Sequence, residues 1–404
     1  MSDVQYDIVI QGAGMAGLLL AAALIPSDLK VAVVEAQKPQ RWREKAEPSL
    51  RVSALTVASE RMLRAVGCWE AMSSRRVSPF DAIEVRDSES GAQLHFDGAA
   101  IGAAHLGHIV ENSLTQTVLY DRVAAAGNIE LIVPGAVERV RHRSDERLAL
   151  MLEDGRTLLT RLLVGADGAA SKVRVLAGIE CEQVSYGQVG IVGSIATERV
   201  HGEVARQRFL PGGPLAFLPL ADGRCSIVWS VPEAERDRLL ALTPDAFCAE
   251  LTEASGEMLG AVQSVGERAA FPLRKQHAKR YVDDRIALIG DAAHVIHPLA
   301  GQGINLGFLD AASLAEVVSD AAKRGRDIGG LAVLRRYERW RKGDNLLMQR
   351  AMDGFHLLFG TRNPLVVGMR GLGLELTERL PPAKSLYMRH AMGLGGDLPA
   401  LAKV

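Results

Sequence analysis

The chain opens with an apolar β-type run, Tyr6–Gln11, stops at Gly12–Gly17, and continues as the Ala/Leu-rich stretch Met15–Ile25. A second apolar run, Lys30–Glu35, follows. Strand, tight turn, helix and strand in that order predict a βαβ unit, because parallel strands need a crossover connection. Arg51–Trp69 places apolar residues at helical spacing and breaks near Gly67, which predicts a helix. Ser78–Phe96 reads as strands joined at Glu89–Gly91, and Ser113–Ala126 as a helix closed by Gly127-Asn128. Leu148–Glu153 and Thr157–Val164 flank Asp154-Gly155, a strong hairpin signal. From about Cys181 to Phe271 the pattern is strand-rich, with Phe217–Leu220 and Cys225–Val231 separated by another Asp-Gly pair. Ile286–Ile289 is a short apolar strand running into Gly290-Asp291, a glycine-spaced loop and a helix to about Arg324. The remainder, after Gly329-Gly330, is mostly helical, with breaks at Asn363-Pro364 and Pro381-Pro382.

Nucleotide-type segments therefore lie on both sides of a strand-rich stretch. The expected fold class is α/β: a discontinuous Rossmann-like domain with an inserted strand-rich substrate domain and a helical C-terminal region. The expected division is 1–75, 105–180 and 271–330 for the nucleotide domain, 76–104 and 181–270 for the insertion, and 331–404 for the helical region. Hydrophobic residues at 48% against 24% charged exclude disorder. The net charge of −1 hides an asymmetry: Leu331–Val404 holds 12 Lys and Arg against 6 Asp and Glu. A basic segment of this kind fits a solvated helical face or attraction to an anionic surface. The four scattered cysteines have no CxxC pairing, which argues against a zinc site or disulfide framework and fits a reducing cytoplasm; no metal is expected. The acidic N-terminus leads straight into a strand, so no signal peptide is expected. The longest apolar run, Leu18–Ile25, is far shorter than the ~18 residues a membrane span needs.

Gly12-Ala-Gly14-Met-Ala-Gly17 satisfies GxGxxG with a strand before it and a helix after it. The first glycine permits the turn, the second lets the backbone approach a pyrophosphate, and the third allows close helix–strand packing. Glu35 ends the next strand, where its carboxylate can accept hydrogen bonds from ribose hydroxyls and would repel a 2′-phosphate, favouring FAD or NAD over NADP. Asp167-Gly168 ends another strand, followed by Ser171 and Arg174; a capping turn is the alternative reading. Gly290-Asp291 has the same setting. Its downstream loop, Pro298 to Asn305, could present backbone N–H groups at a helix start, where they would stabilise negative charge at the edge of a reduced flavin.

These three boxes, in this order, resemble the FAD-dependent aromatic hydroxylases, the single-component flavoprotein monooxygenases related to p-hydroxybenzoate hydroxylase. The likeness covers essentially the whole chain. It implies that Gly12, Gly14, Gly17 and Glu35 hold the ADP half of FAD, with Asp167 in the second box. Asp291 would bind the ribityl or pyrophosphate region, and Gly303, Ile304 and Asn305 the pyrimidine edge. Arg51 in RVSAL and Gln116 in ENSLTQ look like further FAD contacts. The segments at 106–116, 297–311 and 336–359 are similar to the ubiquinone-biosynthesis hydroxylases, and most similar to the bacterial 2-polyprenylphenol hydroxylases.

The resemblance implies that NAD(P)H transiently reduces the flavin, which binds O2 as a C4a-hydroperoxide and hydroxylates a polyprenylated phenol. Pro298 and Gln302 match loop positions near the reacting ring, with loop shaping as the alternative. His297 is a candidate base, whereas His294 is expected to cap the loop or pack beneath the flavin. Cys225 and Trp229 are expected in a core or pocket wall. Leu347, Ala351, Phe355 and Leu358 fall on one face of Leu346–Phe359, which is expected to pack on the core, with a bilayer surface as a further partner. A homo-oligomer or a biosynthetic complex is open. Three rival readings share the fold: hydroxylation at another ring position, a flavin reductase or dehydrogenase of prenyl lipids, and a non-catalytic subunit of a lipid-biosynthetic assembly.

Overall fold

A computed structural model describes residues 4–296, 303–361, 363–379, 388 and 392–403. The chain forms three sheets. The first is largely parallel and places Val4–Gln11 at its centre, between Thr157–Gly165 and Val31–Val34. Ile129–Ile132 and Ile286–Leu288 extend it on either side, both in parallel register. These strands read as continuous apolar runs because helices cover them on both faces. The first helix, Met15–Leu24, has buried residues on every side, among them Leu18, Leu19, Leu20 and Leu24. Such an all-apolar helix must be an interior one.

The second sheet is antiparallel apart from one pair, Val204–Leu210 beside Ala82–Asp87. Two of its strands, Cys181–Thr197 and Val262–Ala278, are each 17 residues long and pair along most of their length. The helix Pro244–Ser255 packs Phe247 and Leu251 onto it in a separate core that also holds Cys225 and Trp229. His294-Val295 adds a short edge strand to this sheet, so the antiparallel layer reaches the Gly290-Asp291 turn.

The third sheet corrects one expectation. Arg51–Trp69 is not one helix: Val52–Thr56 is a strand paired with Gly107–Glu111, and the helix occupies Val57–Ala65. The strand is buried along nearly all its length, so its apolar run carries no period that separates strand from helix. Thr56 ends it and caps the helix, accepting the Ser59 N–H.

The helix Leu331–Gly360 brings a second correction. Its inward residues beyond Tyr337 are Arg341, Asn345 and Gln349, at four-residue spacing, and Phe359 near its end, while Leu347 and Leu357 are 63% and 73% exposed. The apolar face of Leu346–Phe359 is turned outward, because buried carboxylate and carbonyl groups claim the polar one (below). The next helix, Pro364–Arg379, exposes Leu365, Met369, Leu372 and Leu376 along one side. Among the described residues no helix is long and apolar enough to cross a membrane.

Candidate cofactor site

The glycine loop is closed by sterics. At Gly12 (φ +113°) an added Cβ would lie 2.4 Å from the Ala166 carbonyl oxygen, and at Gly17 it would lie 2.2 Å from the Gly12 oxygen. Neither position can carry a side chain. Gly14 differs: no atom lies within 4 Å of its would-be Cβ, so that side of the loop faces open space. The first intrahelical bond runs from Leu18 N to Gly14 O, which leaves the N–H groups of residues 15–17 aimed out of the helix start. Glu35 accepts the Ala13 N–H at 2.7 Å and the Gln37 N–H at 3.1 Å, while Gln116 donates to Ala13 O at 2.8 Å. Glu35 and Gln116 thus hold the same residue of the loop from opposite ends.

Asp167 is committed to its own turn. Its carboxylate accepts the Ser171 hydroxyl at 2.5 Å and the Val173 N–H at 3.1 Å. The turn is then tied to the Asp291 turn by two buried side chains. Arg174 donates to Ala292 O and Ala169 O, both at 2.9 Å, and Gln276 donates to Ala169 O at 3.0 Å and Asp291 O at 3.4 Å.

Gly290 (φ +57°) sits where two helices cross: a Cβ there would meet Ala16 Cβ at 3.4 Å and Gly307 Cα at 3.7 Å. Both helix starts, at Met15 and Gly303, therefore converge on the Asp291 turn. Asp291 is reached by solvent yet walled by protein on most sides, as on the floor of a cleft. That shielding raises its carboxyl above the ordinary range, against the opposing charges of His294, Arg51 and Arg274. Arg51 lies over the Phe271 ring at 5.3 Å.

Beneath the turn lies a charged network. Fully buried Asp310 accepts Gly290 N–H at 3.1 Å, His294 Nε2–H at 2.5 Å, Arg341 Nε–H at 3.1 Å and Asn345 Nδ2–H at 3.0 Å. Burial alone would raise the Asp310 carboxyl; His294 and Arg341 outweigh it and hold it well below the usual range. Gln349 donates to Gln276 O and Val295 O, each at 3.2 Å. His294 is thus a buried partner of Asp310 packed near Tyr281.

Gly303, Ile304 and Asn305 form the first turn of the Gly303–Lys323 helix. The Asn305 side chain is turned away from the turn's open end: it accepts Ser59 Oγ–H at 2.7 Å and Thr56 N–H at 3.1 Å, and donates to Ala54 O at 2.8 Å. Only its backbone is left for a ligand. His297, Pro298 and Gln302 lie outside the described residues.

Close contacts and hydrogen bonds thus link Glu35 and Gln116 to the glycine loop, Gly12 to the Asp167 turn, and both helix starts to the Asp291 turn, with Arg51 near enough for its charge to act on Asp291. Sequence reasoning missed Gln276, Asp310, Arg341, Asn345 and Ser59. Arg341 and Asn345 lie inside the 336–359 segment that carried the resemblance, but nothing in their spacing announces a buried carboxylate partner.

The donor set suits a molecule with a diphosphate, a polyol and an anionic ring edge, since two helix starts and two carboxylates face one cleft. The family described as "FAD binding domain" matches residues 5–342. The chain is 38% identical to the ubiquinone hydroxylase UbiL of Rhodospirillum rubrum, over 100% of this chain and 94% of that one. It is 36% identical to the 3-demethoxyubiquinol 3-hydroxylase of Escherichia coli, covering 98% of this chain and 100% of that one. Among solved structures it resembles PqsL, a probable FAD-dependent monooxygenase from Pseudomonas aeruginosa, with a TM-score of 0.77 and 25% identity over 92% of this chain and 100% of that one.

Proposed function

We propose, on the premise that this chain belongs to the FAD binding domain family and is an FAD-dependent monooxygenase, that it hydroxylates the ring of a polyprenylated phenol in ubiquinone biosynthesis, with NAD(P)H and O2. The observation that carries the assignment of the site is the meeting of Ala16, Gly290 and Gly307, which aims two helix starts at one turn. FAD, when bound, supplies the redox and oxygen chemistry.

The chain's own residues bind and orient. The N–H groups of residues 15–17, with Gly14 open beside them, hold the diphosphate. Glu35, with a lone pair left on each oxygen, accepts a ribose hydroxyl. Asp291 accepts from the ribityl chain. The backbone of Gly303, Ile304 and Asn305 meets the pyrimidine edge, where the helix start favours developing negative charge. Gln116 sets the loop from behind, Asp167 holds the neighbouring turn, and Arg51 closes the mouth against Phe271. His297, Pro298 and Gln302 are assigned to the reacting side of the ring.

Two features support a lipophilic substrate. A cleft beside Asn305 is lined by Ile296, Leu306, Leu309, Leu347 and Met348, along with Thr56, Arg341 and Asp344. Exposed Leu365, Met369, Leu372 and Leu376 give a further apolar side that fits peripheral contact with a bilayer, where such a substrate partitions.

The test is product analysis: purified yellow protein, NAD(P)H, O2 and a polyprenylphenol, read by mass spectrometry with labelled O2. One labelled oxygen in the ring is expected. Reduced prenyl chain without oxygen incorporation would establish the reductase reading instead. Asp291→Ala should yield colourless protein with the wild-type circular dichroism; retained flavin would displace Asp291 from its assigned role.

A further inference from the structure

A cluster of potential metal ligands lies outside the crevice. Glu60 projects from the Val57–Ala65 helix, and His105 and His108 flank the start of the Gly107–Glu111 strand. Gly107 allows this: a side chain there would press on Leu55 O at 2.4 Å and the Phe80 ring at 2.8 Å, so only glycine lets the strand run this close. His105 Nε2 is 2.9 Å from Glu60 Oε2, and His108 Nδ1 is 3.4 Å from the same oxygen. The three ligand atoms all lie within 4.8 Å of one another.

Two features separate this cluster from an ordinary ion pair. His108 is 8% exposed, and its Nδ1 makes no hydrogen bond in the described structure despite being buried. A buried polar atom left without a hydrogen bond is uncommon. Glu60 divides its two oxygens: Oε1 accepts from Arg64 at 2.9 Å, leaving Oε2 to the histidines. A carboxylate fixed in this way by an outer contact is the usual support for a metal ligand.

We propose that Glu60 Oε2, His105 Nε2 and His108 Nδ1 bind one divalent transition ion of the zinc class. With metal–ligand distances of 2.0–2.1 Å, tetrahedral ligand atoms stand about 3.3 Å apart, and the two distances to Glu60 bracket that value. Two imidazoles and a carboxylate suit such an ion and leave a fourth position for water. Half-exposed His105 is the entry side. The ion pins the Val57–Ala65 helix to the Gly107–Glu111 strand. Ser59, next to Glu60 on that helix, holds Asn305, so metal occupancy stiffens the Gly303–Asn305 turn. The site stands independently of the flavin reading.

The test uses untagged full-length protein with its flavin, stripped by a chelator and titrated with Zn2+ against a chromophoric chelator. One Zn2+ per chain is expected, with a raised melting temperature. Co2+ should give d–d absorption in the red, beyond the flavin bands. His105→Gln, at a part-exposed position that tolerates change, and Glu60→Gln should each weaken Zn2+ by more than the about 100-fold seen for loss of a supporting contact, with flavin content unchanged for His105→Gln. Absent stoichiometric binding, or binding that persists in both variants, overturns the assignment.

Discussion

The two strand–turn–helix units of the crevice look alike in sequence and are built by different physics. The first, Val4–Leu24, is closed by volume: Gly12 and Gly17 touch backbone, and the helix is apolar throughout. The second, Ile286–Lys323, is closed by charge: Asp310 gathers Gly290, His294, Arg341 and Asn345. A steric closure is set within a few residues along the chain. The ionic one needs partners 31 and 35 residues away, on another helix.

That contrast can be broken by substitution, beginning with the largest effect. Gly12→Ala should cost about 4 kcal/mol or more, since the new Cβ meets backbone at a positive φ and nothing flexible can yield. Little soluble, flavin-loaded protein is expected; a normal yield with an intact spectrum would mean the loop closes in some other way. Asp310→Asn should cost about 3–5 kcal/mol, because it removes the buried counter-charge of Arg341 and His294 and leaves Arg341 only the exposed Asp344 as an ionic partner. The double variant Asp310→Leu/Arg341→Met should lose less in urea unfolding than the sum of the two single changes, as expected of residues that share one buried contact. Additive losses would show that the two residues act separately. No compensating partner exists for Gly12.

A smaller effect sharpens the same contrast. His277 lies opposite His294 in the strand register, and both its ring nitrogens are buried without a hydrogen bond in the described structure. Burial, then the charges of His294 and Lys342, hold it down at about 4, against about 6.5 when unfolded. The unfolded chain therefore binds this proton more readily. The stabilising contribution is complete above pH 6.5 and falls away as the pH drops through the window toward 4. His277→Leu should make stability decline less steeply across that window, read from urea midpoints at several pH values. Parallel curves for the two proteins would remove His277 from the account.

Much of the crevice could be read in advance because its signals are local. Gly12–Gly17 between strand and helix, Glu35 at a strand end and Gly290-Asp291 before a helix each encode their turn within a few residues. The Val52–Thr56 strand could not be read, since a segment buried on both faces has no polar positions to mark a period. Leu346–Phe359 misled for the opposite reason. Its apolar stripe is real, but the inward stripe is the polar one, chosen by Asp310 and by the Gln276 and Val295 carbonyls. Gln276, near the end of a long strand, carries no local mark of the two turns it joins.

By itself the sequence determined the turns and the order of elements, because backbone sterics and hydrophobic periodicity act between near neighbours. It determined the family as well, through motifs whose spacing the backbone enforces. Tertiary structure alone decided which polar groups meet. The pairing of Asp310 with Arg341, of Asn305 with Ser59, and of Glu60 with two histidines depends on burial, which makes an unsatisfied charge or hydrogen bond costly wherever its partner lies in the chain.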